Sequence, residues 1–256
     1  EIEKSGKDIV AAGSMGPTGE ILEPNGLLSV KEASQAFAAQ ANALKEGGVD
    51  VIWIETISSL EEATAAINGA GETNLPIVLT MSIDSNGRTM MGVAPSEITK
   101  LQFQLSKKPV AFGANCGSGA SEVIAAIINM QSDNNSNSDP SILVAKGNCG
   151  IPEWINGDIC YSGTPELMAE YAAMAIDAGA RLIGGCCGTT PAHVAAMREA
   201  IDSHVKNSKP TIEQIESKLG KLSAGARAQM DGDDTRLGGA VNPRSPRIRK
   251  RSRKTE

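Results

Sequence analysis

Apolar and polar residues follow two alternating patterns along most of the chain. Short runs rich in β-branched residues, each bounded by Gly, Asn or Ser, predict strands, and each is followed by a longer segment with the 3.6-residue period of an amphipathic helix. The predicted strands are residues 8–12, 49–55, 76–82, 109–115, 141–146 and 180–184. The predicted helices are residues 29–46, 59–69, 95–106, 118–130, 164–177 and 191–205. The chain is therefore predicted to contain six consecutive βα units.

Six βα units are compatible with two architectures, an open doubly wound sheet or part of a closed (β/α)₈ barrel, and periodicity alone does not choose between them. The loop after the first strand, Gly-Ser-Met-Gly-Pro-Thr-Gly at residues 13–19, is not a dinucleotide-binding pattern. Beyond Asn207 the apolar periodicity fades, and from Asp231 the chain is rich in Gly, Asp, Pro, Arg and Lys. We therefore predict a folded body over residues 1–207, an extension over 208–230 and a disordered basic tail over 231–256.

Composition supports a globular protein. The 256 residues are 41% hydrophobic and 21% charged, which excludes a wholly disordered chain and a collagen-like fibre. No window approaches the roughly 18 consecutive apolar residues of a membrane span, and the N-terminus lacks a signal-peptide pattern. A cytoplasmic protein without a membrane partner is expected. Because the first residue is Glu and not Met, the chain is expected to be trimmed or a fragment.

The charge is unevenly distributed. Residues 244–254 hold seven of the 24 Lys and Arg, whereas residues 1–243 carry 17 basic and 29 acidic residues, a formal charge of −12. An acidic body argues against nucleic acid as the main ligand, although the basic tail could bind an acidic partner or simply be solvated. Five cysteines without regular spacing favour free thiols over a disulfide framework.

Candidate chemistry lies at three predicted strand ends, Ile-Trp-Ile-Glu-Thr at 52–56, Phe-Gly-Ala-Asn-Cys-Gly at 112–117 and Leu-Ile-Gly-Gly-Cys-Cys-Gly-Thr-Thr-Pro at 182–191. Cys116, Cys186 and Cys187 could supply three soft ligands to a catalytic zinc ion with an open fourth position. Adjacent cysteines can meet one ion only if the strand breaks there, which the neighbouring glycines allow. The alternative is a buried core thiol and an incidental Cys-Cys pair.

The motifs resemble the homocysteine S-methyltransferase family, which includes betaine–homocysteine methyltransferases and the homocysteine-binding module of cobalamin-dependent methionine synthase. The resemblance rests on Gly-Ala-Asn-Cys-Gly at 113–117 and Gly-Gly-Cys-Cys-Gly-Thr-Thr-Pro-Ala-His at 184–193. Ala-Gly-Ser-Met-Gly-Pro-Thr-Gly at 12–19 and Trp-Ile-Glu-Thr at 53–56 support it, so that it spans residues 9 to about 205.

The resemblance implies a (β/α)₈ TIM barrel in which Cys116, Cys186 and Cys187 bind Zn²⁺ and homocysteine sulfur takes the open position. It matches Glu55 to the carboxylate that holds the homocysteine amino group and places Asn115 in the adjoining substrate-binding segment. The implied reaction is methyl transfer to homocysteine, giving methionine. The family pattern has two βα units upstream of the first strand here, so we expect an N-terminally truncated barrel of about six units.

The sequence does not specify the methyl donor or the oligomeric state. Betaine or another onium compound would favour an aromatic site, for which Trp154 is best placed. Methylcobalamin or methylfolate chemistry would need a corrinoid protein as partner, because no Asp-x-His-x-x-Gly signature is present. Two rival interpretations are a thiol redox or metal-binding protein using Cys186 and Cys187, and a non-catalytic barrel fragment. Cys149 and Cys160 are expected to be bystanders, and His193 a helix-capping residue.

Overall fold

The computed structural model describes residues 2–84, 86–134 and 140–235. Within these residues, six strands form one parallel sheet. In their order across the sheet they are β1 Ala12–Met15, β2 Val51–Ile57, β3 Ile77–Ser82, β4 Ala111–Cys116, β5 Ile142–Gly147 and β8 Leu182–Gly185. Each strand pairs with the next one along the sheet without a reversal of order, which is the topology of a barrel wall and not of a doubly wound sheet.

Six helices follow the strands as the sequence pattern predicts. They are α2 Val30–Glu46, α3 Leu60–Gly71, α4 Pro95–Gln104, α5 Ala120–Asn134, α6 Pro165–Ala178 and α7 Pro191–Ser203. Of the other helices among the described residues, α1 Ile2–Ser5 precedes β1, and α8 Ile212–Leu219 and α9 Ala224–Met230 come after α7. Local chemistry sets several starts. Ser29 and Glu32 form a reciprocal capping box at α2, and the Thr164 side chain accepts from Leu167 N ahead of Pro165 at α6.

The two faces of the sheet bury different sets of side chains. One face packs against the helices through a large apolar cluster that includes Ile52, Leu79 and Phe112. The opposite, inner face carries a small cluster of Val51, Val78, Ala111 and Val144, against which Trp53 and Ile142 pack. Because side chains alternate between the two faces along a strand, every second residue after this cluster also lies on the inner face. These later residues are nearer the carboxyl edge of the sheet.

The sheet curls into part of a barrel and confirms the predicted truncated (β/α)₈ fold. Among the described residues, β1 and β8 do not pair with each other, so the wall stays open between these two strands. In the same part of the chain, no helix has both the length and the apolar character needed to cross a bilayer.

Three features differ from the sequence expectation. The first strand begins at Ala12 and not at residue 8, because its pairing with β2 starts at Ala12 and Val51. An antiparallel hairpin, β6 Pro152–Ile155 and β7 Asp158–Tyr161, follows β5 and was not predicted. Two short helices, α8 and α9, occupy the extension beyond residue 207, where Ile215 is fully buried.

The chain ends its described part in a turn after α9 that includes Asp233 and Thr235. The basic tail predicted to be disordered lies, from residue 236 onward, outside the described residues. Residues 135–139 of the predicted polar loop also lie outside them.

Candidate metal centre and active site

Three thiols predicted from the sequence lie together at the carboxyl edge of the sheet. Cys116 is the last residue of β4, and Cys186 and Cys187 follow β8 directly. The three sulfur atoms all lie within 4.8 Å of one another, and the sulfurs of Cys116 and Cys187 are 3.8 Å apart. Residues 70 positions apart in the chain therefore meet because β4 and β8 both pair with β5.

A sharp turn lets the adjacent Cys186 and Cys187 face the same point. Cys186 N donates to Gly147 O at 2.8 Å, which continues the pairing of β8 with β5. The chain then turns, with Thr189 N donating to Cys186 O at 3.3 Å and Gly188 at φ +77°. The break in the strand that two neighbouring thiol ligands require is thus present.

Cys116 lies in a left-handed backbone conformation. Its φ is 57°, and Gly117 follows at φ 73°. A Cβ on Gly117 would lie only 1.9 Å from Ile83 O, so glycine is required there both by φ and by the close approach of the β3–α4 loop. This backbone turns the Cys116 side chain out of the strand direction and towards the other two thiols.

The donor set fits a zinc ion. Zn–S bonds of about 2.3 Å in tetrahedral geometry place sulfurs roughly 3.8 Å apart, a separation that the Cys116 and Cys187 sulfurs already have. Three soft thiolate ligands leave one position of a four-coordinate ion for a further ligand. Cys116 and Cys186 are half-buried and Cys187 is exposed, so the site is reachable from solvent.

The pKa values of Cys116 and Cys186 are shifted in opposite directions. A hydrogen bond from Cys116 lowers the pKa of Cys186 to about 5, and the same interaction raises the pKa of Cys116. Asn115 supports the thiolate, since its Nδ2 lies 3.8 Å from the Cys186 sulfur. The lowered pKa of Cys186 favours its thiolate, which is the form of cysteine that binds a metal ion.

Asn115 links two strand ends. It is fully buried, and its Oδ1 accepts from Thr56 N at 2.9 Å while its Nδ2 donates to Thr56 Oγ1 at 2.9 Å. Thr56 has a φ of 66°, a left-handed conformation that these two hydrogen bonds hold in place. Asn115 thus fixes the end of β2, and with it the neighbouring Glu55.

Glu55 lies on the inner face at the end of β2. Ser14 Oγ donates to Glu55 Oε1 at 2.5 Å, and Lys146 at the end of β5 forms an ion pair with Glu55 Oε2. The Lys146 ammonium also lies 5.5 Å from the centre of the Trp53 ring. The structure therefore gives Glu55 a cationic partner that the sequence did not reveal.

Asn148 is a positioning residue that sequence reasoning missed. It is buried just beyond β5, where its Nδ2 donates to Gly117 O at 2.9 Å and its Oδ1 accepts from Cys187 N at 3.1 Å. One side chain thus joins the loop after Cys116 to the loop that holds Cys187. Its place two residues after a predicted strand, at the same edge as the cysteines, is the signal that could have identified it.

Replacing Asn148 with alanine is expected to lower metal affinity by about 10- to 100-fold, because partners that orient metal ligands typically contribute that much. Chelator competition with zinc measures the change. The matched control is Asn134→Ala, since Asn134 is equally buried and bonds the backbone of Ser141 at the opposite end of β5. A similar loss of metal affinity in both variants would contradict a specific role for Asn148.

The β6–β7 hairpin brings Tyr161 to the cluster. Burial and a hydrogen bond with Cys187 raise the pKa of Tyr161 to about 12. Its ring packs on the backbone of Gly188, where a Cβ would lie 2.4 Å from a ring carbon. Trp154, on the same hairpin, is 76% exposed and does not line the cluster.

The remaining candidates stand apart from the thiols. Cys149 is buried, with its sulfur donating to Gly163 O at 3.2 Å, and Cys160 lies in β7 opposite Glu153. His193 is at the start of α7, where its Nδ1 is 3.0 Å from Thr190 N and its Nε2 is 3.2 Å from Gly163 O. His193 therefore acts as the capping residue that the sequence predicted.

Comparison with known proteins gives a family for this chain. The model of the family described as homocysteine S-methyltransferase matches residues 1–201. The apo crystal structure of the homocysteine methyltransferase MmuM from Escherichia coli is 26% identical with a TM-score of 0.59, over 77% of this chain and 64% of that one. Its metallated form is 25% identical with a TM-score of 0.56, over 77% of this chain and 62% of that one.

The present chain thus spans somewhat less than two thirds of the length of either MmuM structure. The family match covers well over half of the chain and contains all six strands of the parallel sheet together with the three clustered thiols. On this evidence the chain belongs to the homocysteine S-methyltransferase family.

Proposed function

We propose that this protein transfers a methyl group to the thiol of homocysteine, giving methionine, and that Cys116, Cys186 and Cys187 hold a zinc ion for this reaction. The observation that carries the proposal is the convergence of three thiols within 4.8 Å at the carboxyl edge of the sheet. That edge is where barrel enzymes of this architecture bind their substrates. The similarity to a metallated homocysteine methyltransferase supports it.

The reaction is a displacement at a methyl carbon. The homocysteine thiol gives up its proton to the solvent, a bond forms between its sulfur and the methyl carbon, and the donor departs with the electron pair of the bond between it and that carbon. A zinc ion held by three thiolates would supply Lewis acidity, which keeps the substrate sulfur deprotonated at neutral pH. No general base of the protein is required for the step.

The protein side chains orient the acceptor. In this proposal Glu55 accepts hydrogen bonds from the homocysteine ammonium, and its position on the inner face at the same edge as the thiols supports that role. Asn115 holds the Glu55 segment through Thr56 and contacts the Cys186 sulfur, so it couples the amino-group site to the thiol site. Fixing the substrate at both ends lowers the entropic barrier to displacement.

The proposal is tested by methionine formation in the zinc-loaded protein. We expect product from homocysteine with one of three donors offered separately: glycine betaine, a dimethylsulfonium compound, or methylcobalamin with and without an added corrinoid protein. The donor that gives product identifies the donor class and whether a partner chain is needed. Absence of both zinc binding and methionine formation, with Cys186 and Cys187 oxidising reversibly, would instead support a thiol redox protein.

Glu55→Gln is expected to weaken homocysteine binding by about 10- to 100-fold, since a hydrogen bond between charged groups is lost, while zinc content stays unchanged. Isothermal titration of homocysteine into the zinc-loaded protein measures the effect. Glu61→Gln is the control, because Glu61 is exposed in the first turn of α3. Equal homocysteine affinity in the wild type and the Glu55 variant would contradict the role of Glu55.

A further inference from the structure

A lysine lies beside the proposed amino-group site. Lys146 comes from β5, and its ammonium contacts the Glu55 carboxylate and the face of Trp53. Building on the proposed function, we propose that Lys146 binds the carboxylate of a substrate in this pocket and that Lys146 and Glu55 together recognise a zwitterion. The chemical class of the ligand is an amino acid or betaine that carries both charges.

The surroundings of the Lys146–Glu55 pair make it unlike a surface salt bridge. The side chains are only 25% and 18% exposed, and both project from the inner face of the sheet near the thiols. Partly buried charges are costly when they lose their partner, because water no longer solvates them fully. A ligand that took only Glu55 would leave the Lys146 ammonium without the partner of its ion pair.

A zwitterion avoids that cost. Its cationic group can replace Lys146 on Glu55 while its carboxylate takes up the released Lys146 ammonium, so each charge changes partner and the net charge of the pocket is unchanged. Glu55 keeps the hydrogen bond from Ser14 throughout. Trp53 offers the ammonium a second contact, which keeps it at the pocket during the exchange.

Glycine at position 184 of β8 leaves one side of Lys146 without a neighbouring side chain. Gly184 pairs with Lys146 in the sheet and lies two residues before Cys186. Among the described residues, and apart from its chain neighbours, the one heavy atom within 4 Å of a Cβ built on Gly184 is the Lys146 Cγ, at 3.9 Å. No side chain from position 184 therefore occupies the region next to Lys146.

The carboxylate could come from either substrate. Homocysteine carries an α-carboxylate, and a betaine-type donor carries one of its own. Either carboxylate would contact the same ammonium group. The two sources can be told apart by measuring whether Lys146 affects the binding of the acceptor or of the donor.

The test compares ligand pairs that differ in the carboxylate, measured by calorimetry with the zinc-loaded native protein. The acceptor pair is homocysteine and 3-aminopropane-1-thiol, and the donor pair is glycine betaine and tetramethylammonium. We expect Lys146→Met to reduce the preference for the carboxylate-bearing member by about 10- to 100-fold in at least one pair. A change in the acceptor pair assigns the homocysteine carboxylate, and a change in the donor pair assigns the donor.

Lys146→Arg keeps the positive charge and should restore most of the preference, whereas a merely structural role would not distinguish ligands by their carboxylate. Zinc content and circular dichroism establish that each variant is folded. Unchanged preferences in both pairs would overturn the role of Lys146. That outcome is distinct from failure of the proposed function, in which the wild type would neither bind these thiols nor form methionine.

Discussion

Alanine at Cys116, Cys186 or Cys187 is expected to remove bound zinc and methyl transfer together. Each change deletes one of three converging thiols, and the two that remain cannot by themselves complete the ligand set. We expect metal affinity to fall by more than about 100-fold, since the loss of mere supporting partners already costs 10- to 100-fold. Elemental analysis of the purified variants and a methionine assay measure both losses.

The other two cysteines provide the matched controls. Cys149 is buried in a contact with Gly163 O, and Cys160 lies in the hairpin, so Cys149→Ala and Cys160→Ala should retain zinc and activity. Full zinc retention in a double variant carrying Cys186→Ala and Cys187→Ala would disprove the assignment of the metal centre.

Among substitutions that add one methyl group near the site, Gly117→Ala is expected to reduce stability the most. The left-handed φ of 73° and the distance of 1.9 Å between a new Cβ and Ile83 O act together. We expect the free energy of unfolding to fall by about 2–5 kcal/mol. Zinc affinity should fall as well, because relief of the clash displaces the neighbouring Cys116. Chemical denaturation and chelator competition measure the two effects.

Gly48→Ala separates the two causes. Gly48 has a similar left-handed φ of 87°, but a Cβ there would meet no heavy atom of the described residues within 4 Å. It should cost only about 1–2 kcal/mol and leave zinc affinity unchanged. If both variants lost the same stability and both kept zinc, the close approach of Gly117 to Ile83 would have no energetic importance.

The parts of this molecule that depend on local pattern could be predicted from the sequence. The alternation of strand-like and helix-like apolar patterns predicted the βα units. The capping residues Ser29 and Thr164 correctly predicted where α2 and α6 begin. The three thiols could be grouped because parallel strands deliver their carboxyl ends to one edge. Their role as zinc ligands stays a prediction that the variants above test.

Long-range pairing could not be predicted in the same way. Lys146 and Glu55 are separated by 91 positions, and a lysine at a strand end has no periodic signature of a buried ion pair. The β6–β7 hairpin was missed because its strands are only four residues long, although Asn156 and Gly157, with φ of 54° and 94°, form the Asn-Gly turn that is a strong hairpin signal. Helix α8 was missed although Ile215 and Leu219 repeat at helical spacing, since the flanking segments are polar.

The contact between Lys146 and Trp53 gives the pocket an intrinsic optical signal. The chain has two tryptophans, Trp154 exposed on the hairpin and Trp53 hydrogen-bonded to Thr80 with the Lys146 ammonium near its ring. Replacing Trp154 with phenylalanine leaves Trp53 as the sole indole emitter. A change in the partner or position of the ammonium beside its ring then changes the emission of a single fluorophore, so ligand binding beside Trp53 can be followed in real time without a label.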